Sequence, residues 1–192
     1  AGPQQLHLKK VSKMQDDFLK LVFWGRCNPQ KGIHILVDAF LMLQKDLPIS
    51  LDIYGPYWED NNYSRNLIKK INSDKRIHLR GNLPNNQLLE KLQNYDFAVI
   101  PSIWMETGPL TILEAFAVGI PVIGTNLGGI KELLAKQKGC YLLPPDSSVW
   151  MELFIKILKN RKLIEQFKSP RIKTFYDVKN ELEKLCLFDM FY

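Results

Sequence analysis

Short apolar runs alternate along the chain with stretches in which apolar side chains recur at helical spacing. Runs of the first kind fit buried strands and stretches of the second fit amphipathic helices. After a polar lead-in, Phe18 to Gly25 (FLKLVFWG) is apolar and closes on glycine, which predicts a strand. Ile33 to Lys45 then carries Ile33, Leu36, Val37, Phe40, Leu41 and Leu43 on a helical repeat. The alternation continues with strand Ile49 to Tyr54, helix Tyr63 to Ile71, strand Arg76 to Arg80 and helix Asn86 to Gln93. Strand Asp96 to Ile100, helix Pro109 to Val118, strand Pro121 to Thr125, helix Ile130 to Lys136 and a short strand Cys140 to Leu143 follow, and everything after Ser147 is helical in pattern.

Six short strands separated by helices predict an α/β fold: a Rossmann-like parallel sheet with helices on both faces and right-handed crossovers. In such sheets ligands sit outside the carboxyl ends of the strands. The loops beginning at Gly25, Gly55, Gly81, Pro101 and Thr125 are therefore where chemistry is expected.

The segment Pro101 to Gly119 (PSIWMETGPLTILEAFAVG) is the most informative. Gly108-Pro109 reads as a helix start, with Gly at the cap and Pro at the first helical position, where no N–H is needed. Gly119 reads as the stop. The N–H groups of Leu110 and Thr111 would then be unpaired at the positive end of the helix, a setting that suits a phosphate. Glu114 would lie about 7 Å along the axis and Glu106 in the preceding loop, one on each side of such an anion. Two readings stand at this point. The carboxylates bind hydroxyls of two sugar rings flanking a diphosphate, or Glu114 merely complements the helix dipole and Glu106 is a surface charge. After the first strand, Arg26 and Lys31 place two cations at the same edge. An arginine binds two phosphate oxygens at once and a lysine supplies a point charge.

These motifs resemble the donor-binding domain of family 4 glycosyltransferases. The resemblance is carried by Phe23-Trp24-Gly25-Arg26 with Lys31-Gly32, Ile53-Tyr54-Gly55, Gly81-Asn82-Leu83, Pro101-Ser102 and Glu106-Thr107-Gly108-Pro109-Leu110 through Glu114-Ala115. It also takes in Gly119-Ile120-Pro121-Val122-Ile123 and Gly128-Gly129, and spans about residues 18 to 160. The family's mark is two glutamates with seven residues between, the spacing of Glu106 and Glu114. The resemblance implies one half of a GT-B fold and retaining, metal-independent transfer from a nucleotide-diphospho-sugar such as a UDP- or GDP-sugar. That sugar is a substrate, and no cofactor is implied. Arg26 and Lys31 match the cations on the diphosphate, Glu106 the glutamate on the donor sugar, and Glu114 the glutamate on the ribose. Gly108, Leu110 and Thr111 match the helix start near sugar and phosphates. Gly81, Asn82 and Leu83 match the turn at the base, and Gly25 belongs to the first loop. One departure is Gly108-Pro109, where many members have an aromatic residue followed by glycine. Pro109 cannot donate an N–H, and Leu110 and Thr111 are expected to suffice.

Family members usually run to about twice this length. The resemblance thus implies that an acceptor-binding N-terminal domain, absent here, must be present for transfer, and that the isolated domain is inactive. The alternative is an autonomous nucleotide-binding module acting with a separate acceptor-domain partner chain. A dinucleotide-dependent oxidoreductase is disfavoured because no GxGxxG joins the first strand to the first helix. The expected organisation is a polar lead-in or processing remnant over 1–17, the donor-binding domain over 18–170, and a C-terminal helix over 171–192 able to pack back toward the missing domain.

Composition trims the alternatives. At 192 residues one core suffices. The formal charge of +6, from 26 basic and 20 acidic residues that are interleaved, predicts a solvated cationic surface and no nucleic-acid groove. No apolar run is long enough for a transmembrane helix. Cys27, Cys140 and Cys186 with His7, His34 and His78 form no metal-ligand spacing, and the odd cysteine count suits a reducing, cytoplasmic setting. The lysine-rich helices between Val149 and Leu187 leave association with the inner face of a membrane as an open partner class, with a packed amphipathic helix favoured. Lys9, Lys10 and Lys13 are expected to be solvated, His34 and His78 structural, and Trp58, Trp104 and Trp150 packing residues. Tyr54-Gly55-Pro56 is expected either to border the site or simply to end its strand.

Overall fold

The computed structural model describes residues 18–55 and 61–170. The readings placed on 1–17, on Pro56 and Trp58, and on 171–192 lie outside the described residues. The elements are β1 (Leu19–Trp24), α1 (Ile33–Met42), β2 (Ile49–Tyr54), α2 (Asn62–Asn72), β3 (Ile77–Gly81), α3 (Asn85–Leu92) and β4 (Phe97–Ile100). They continue with α4 (Leu110–Ala117), β5 (Val122–Thr125), α5 (Gly128–Leu134), β6 (Tyr141–Leu143), α6 (Ser147–Lys159) and α7 (Lys162–Glu165). A 3-10 turn, Pro29–Lys31, was not expected from the sequence.

The six strands pair in parallel in the order β3-β2-β1-β4-β5-β6. The order reverses between β1 and β4, so the loops leaving these two strands diverge and open a crevice. Alternate side chains point to opposite faces of a strand. Leu21, Phe23, Phe97 and Val99 therefore join one core with α1, α2 and α6. Val22, Trp24, Ala98 and Ile100 join the other with α3, α4 and α5. This double coverage is why central strands such as β4 and β5, buried throughout, read as short apolar runs.

Several helix ends differ from expectation by up to three residues, α5 for instance running over Gly128–Leu134, and two of them show their cause. α1 stops at Met42 because Leu43 takes extended backbone (φ −74, ψ 146). Arg76, expected in a strand, instead caps that helix: its guanidinium donates to the carbonyls of Gln44 (2.6 Å) and Phe40 (2.8 Å). A cation at a helix C-terminus also meets the negative end of its dipole. Asp74, with a side chain only 1% exposed, holds Arg76 at 2.8 Å and is itself reached by Lys45 at 2.9 Å. At α4 the N-cap is Pro109, in extended backbone (φ −68, ψ 107), and not Gly108. The helix starts one residue later than expected, with Leu110 and Thr111 in its first turn.

The expected structural roles of the histidines and of Trp150 agree with the contacts. His34 Nδ1 lies 3.1 Å from the Tyr63 hydroxyl, and His78 Nδ1 lies 2.8 Å from Asp52. Trp150 is fully buried and donates to the Pro144 carbonyl. Burial pushes the Cys27 thiol up to about 12, so it stays protonated and inert at neutral pH.

Candidate functional site

The β1–α1 loop is built to meet the β4–α4 loop. Asn28 caps the 3-10 turn by accepting from the Lys31 N–H, which fixes the lysine's backbone. Gly32 then turns the chain into α1 with φ 68, in the left-handed region that favours glycine. A Cβ at this position would stand 2.0 Å from the Pro101 carbonyl oxygen, so only glycine lets β4's exit pass so close. Ile103 N–H and the Ser102 hydroxyl both donate to the Gln30 carbonyl, at 2.9 and 3.1 Å. Fully buried Thr125 ties the loop from below by donating to the Ser102 carbonyl. On the far side the Gly129 N–H donates 2.6 Å to the Glu106 carbonyl, and a Cβ on Gly129 would come within 2.7 Å of that oxygen. The backbone of Glu106 is thereby clamped between two loops and the start of α5.

The clamp brings the predicted charges together. Arg26, Lys31, Glu106 and Glu114 all line one open cavity of about 650 Å³ at the carboxyl edge of the sheet. Gly25, Asn82, Leu83, Leu110 and Thr111 line it too, as do Tyr54 and Gly55, which settles Tyr54-Gly55 as bordering the cavity. Gly81 and Gly108 are not on this lining. Gly81 ends β3 and its carbonyl accepts from the Gly55 N–H at 2.9 Å. Gly108 lines a smaller neighbouring pocket of about 330 Å³, which shares Lys31, Ser102 and Glu106 with the first and carries Trp104, which is 59% exposed on its loop and so not the packing residue expected.

Each charged group has a distinct state. Lys31 Nζ bonds Glu106 Oε1 at 2.8 Å, with the glutamate side chain 16% exposed. Sequence reasoning placed both at this edge without pairing them. Arg26 is exposed and makes no hydrogen bond or ion pair with the described residues. Half-buried Glu114 accepts a 2.7 Å bond from the Trp24 indole N–H. Trp24 is a site residue that sequence reasoning missed, although its place on β1 was a usable signal: alternation puts it on the face that α4 covers.

A polar network backs the Tyr54 side of the cavity. Buried Asp52 accepts from the Tyr95 hydroxyl at 2.7 Å and from Arg80 at 2.9 Å, and the Tyr54 hydroxyl sits 3.1 Å from that of Tyr95. Burial works to raise the Asp52 pKa, but the bonds from Arg80, Tyr95 and His78 outweigh it and hold the carboxyl below its usual value. Among the described residues no group of three His, Cys, Asp or Glu side chains is placed to hold a metal ion. No helix among them is long and apolar enough to cross a membrane.

Comparison with known proteins gives a consistent outcome. An uncharacterised glycosyltransferase of Methanocaldococcus jannaschii is 27% identical over 150 residues, covering 77% of this chain and 38% of the relative. A putative colanic acid biosynthesis glycosyltransferase of Escherichia coli K12 is 28% identical over 138 residues, covering 68% of this chain and 33% of the relative. The chain therefore spans about a third of the length of these curated relatives. In fold it matches the Anabaena protein HepE, crystallised with UDP and glucose, at a TM-score of 0.67 and 20% identity, over 78% of this chain and 41% of HepE. It matches the C-terminal domain of a Francisella tularensis group 1 glycosyl transferase at 0.67 and 23%, over 77% of this chain and 79% of that domain. The fold is thus that of one half of a GT-B enzyme. The model of the family described as glycosyl transferases group 1 matches residues 4–173, nearly the whole chain, and to that family the chain belongs.

Proposed function

We propose that this chain is the donor-binding part of a retaining, metal-independent hexosyltransferase, and that it holds a nucleoside-diphosphate sugar in the cavity at the β1–β4 crevice. The observation that carries the reading is the convergence of two cations and two carboxylates, with the first turn of α4, on one cavity wall. Arg26 and Lys31 face the diphosphate. Glu114 accepts from the ribose hydroxyls and Glu106 from those of the donor sugar. Asn82 and Leu83, following Gly81, face the base. Gly25 and Gly108 leave room for the backbone at the two loops.

The chemistry follows from charge. Transfer breaks the bond between the anomeric carbon and the diphosphate oxygen. The bonding pair leaves with the phosphate, and the sugar carbon becomes electron-poor. Arg26, Lys31 and the Leu110 and Thr111 N–H groups meet the departing anion without having to reorient in water. The freed phosphate oxygen then takes the acceptor's proton as the new bond forms on the same face, which retains configuration. The acceptor and the rest of the cleft come from an N-terminal domain, in a longer polypeptide or a partner chain. Its presence is expected to be required for activity, because positioning two reactants needs both halves. A reducing, cytoplasmic setting belongs to this proposal, in keeping with the free thiols Cys27 and Cys140.

A thermal-shift panel of UDP-, GDP-, ADP- and dTDP-sugars tests it. The correct donor at a hundred times its Kd stabilises the folded chain by about 2.7 kcal/mol through mass action. The shift should be lost in Glu114→Ala. No shift with any nucleotide-sugar or nucleotide would overturn the assignment.

A further inference from the structure

Trp24 supplies a polar atom where packing asks for none. It ends β1 at 9% exposure, within the core formed with α3, α4 and α5. Its neighbours on that face of the sheet, Val22, Ala98 and Ile100, are purely apolar. A hydrocarbon side chain would fill the same space without a donor to satisfy. The indole instead carries an N–H that can only donate, and spends it on Glu114 Oε2 at 2.7 Å across the sheet-helix interface. Both side chains line the large cavity. Glutamate has three rotatable bonds, and one standing on a cavity wall would otherwise sample several rotamers. A bond from a rigid, buried donor selects one of them. It takes one of about four lone-pair sites on the carboxylate and leaves Oε1 without a hydrogen bond from the described residues.

We infer that Trp24 is a positioning residue that locks Glu114 in the rotamer whose free acceptor sites meet a vicinal diol, and so sets the preference for ribo- over 2′-deoxyribonucleotides. The inference rests on the proposed ribose role of Glu114. A deoxyribose offers that carboxylate one donor fewer, and a carboxylate held still cannot reorient to recover the loss.

The test uses the 192-residue chain and calorimetry with UDP and 2′-deoxy-UDP, or with GDP and 2′-deoxy-GDP where the panel selects guanine. The wild-type chain should prefer the ribonucleotide by about tenfold, the worth of one bond to a charged acceptor. Trp24→Phe keeps an aromatic ring in the core but removes the donor. It should cut that preference to about twofold while changing the affinity for the deoxynucleotide by less than about twofold. Glu114→Asp withdraws the carboxylate from indole and ribose together and should give the floor of the ratio; because both affinities are read on one sample, a partly unfolded Trp24→Phe still reports its own ratio. In a Glu114→Ala background, Trp24→Phe should have no further effect on the ratio. A ratio unchanged in Trp24→Phe, or an equal loss for both nucleotides in that variant, overturns the positioning role alone, whereas a ratio unchanged in Glu114→Asp counts against the ribose role. A wild-type chain that binds both nucleotides equally overturns the ribose role of Glu114, and the inference with it.

Discussion

Replacing Glu106 by glutamine should move two affinities in opposite directions. The Lys31–Glu106 pair stands where the diphosphate and donor sugar are proposed to meet, with Nζ and Oε1 2.8 Å apart. At an effective dielectric of 20 the bare attraction at that separation is about 6 kcal/mol. Lysine is 33% exposed, however, and desolvation and side-chain ordering leave about 1 kcal/mol net for pairs of this kind. An incoming diphosphate must draw Lys31 from this partner and also settle beside the Glu106 charge. Glu106→Gln removes both costs, so UDP without a sugar should bind about fivefold tighter, the equivalent of that 1 kcal/mol. The sugar loses instead. Exchanging a charged acceptor for a neutral amide forfeits about 1–1.5 kcal/mol, or about tenfold. The affinity ratio of UDP-sugar to UDP should therefore fall about tenfold, with UDP-sugar itself only about twofold weaker. Calorimetry with both ligands reads the ratio, and a repeat in high salt should shrink the gain for UDP, since screening already weakens the native pair. Weaker UDP binding in Glu106→Gln, or equal losses for both ligands, would refute the idea that the ion pair competes with the diphosphate.

Two further substitutions probe the scaffold. Gly32→Ala forces a Cβ against the Pro101 carbonyl in a left-handed backbone (φ 68). It should cost about 2 kcal/mol or more, a fall in Tm of about 4–8 °C, and should weaken UDP-sugar binding because Lys31 moves with it. Asp74 is held well below its usual 3.8, chiefly by the Arg76 guanidinium, so its share of stability is complete above that ordinary value and fades as pH falls toward the depressed one. Asp74→Asn should destabilise the neutral protein by about 3–5 kcal/mol, because Arg76 is left buried without its partner, and its Tm should decline less than the wild type's between pH 4 and 2.

The central strands were legible because burial on both faces writes a strong signal, whereas the edge strands β3 and β6, less buried, were marked by the glycines and prolines that bound them. Every one of the six strands was anticipated to within a residue or two, and the parallel sheet followed from their alternation with helices. The helix ends were less legible, since tertiary partners decide them. α1 ends where Arg76, distant in sequence, reaches its carbonyls. The 3-10 turn at Pro29–Lys31 exists because Asn28 caps it and Gly32 must pass under Pro101. Neither cause shows in a local hydrophobic pattern.

The site divides along the same line. Residue type and spacing placed Arg26, Lys31, Glu106 and Glu114 at one edge, because each loop leaving a parallel strand arrives there whatever its sequence. Their partners were not local. Lys31 meets Glu106 across 75 positions and Trp24 meets Glu114 across 90. Such contacts follow from strand order and side-chain parity together. Once β1 is known to lie beside β4 with α4 over one face, Trp24 is directed at Glu114 by alternation alone, while Phe23 must face α1 and α6. Trp24 drew no role of its own beyond its strand and motif, because a one-dimensional pattern records that a position is buried and omits against what. Its indole N–H is where that omission matters. A buried donor must be satisfied, so asking what satisfies it points from a packing residue to the cavity wall.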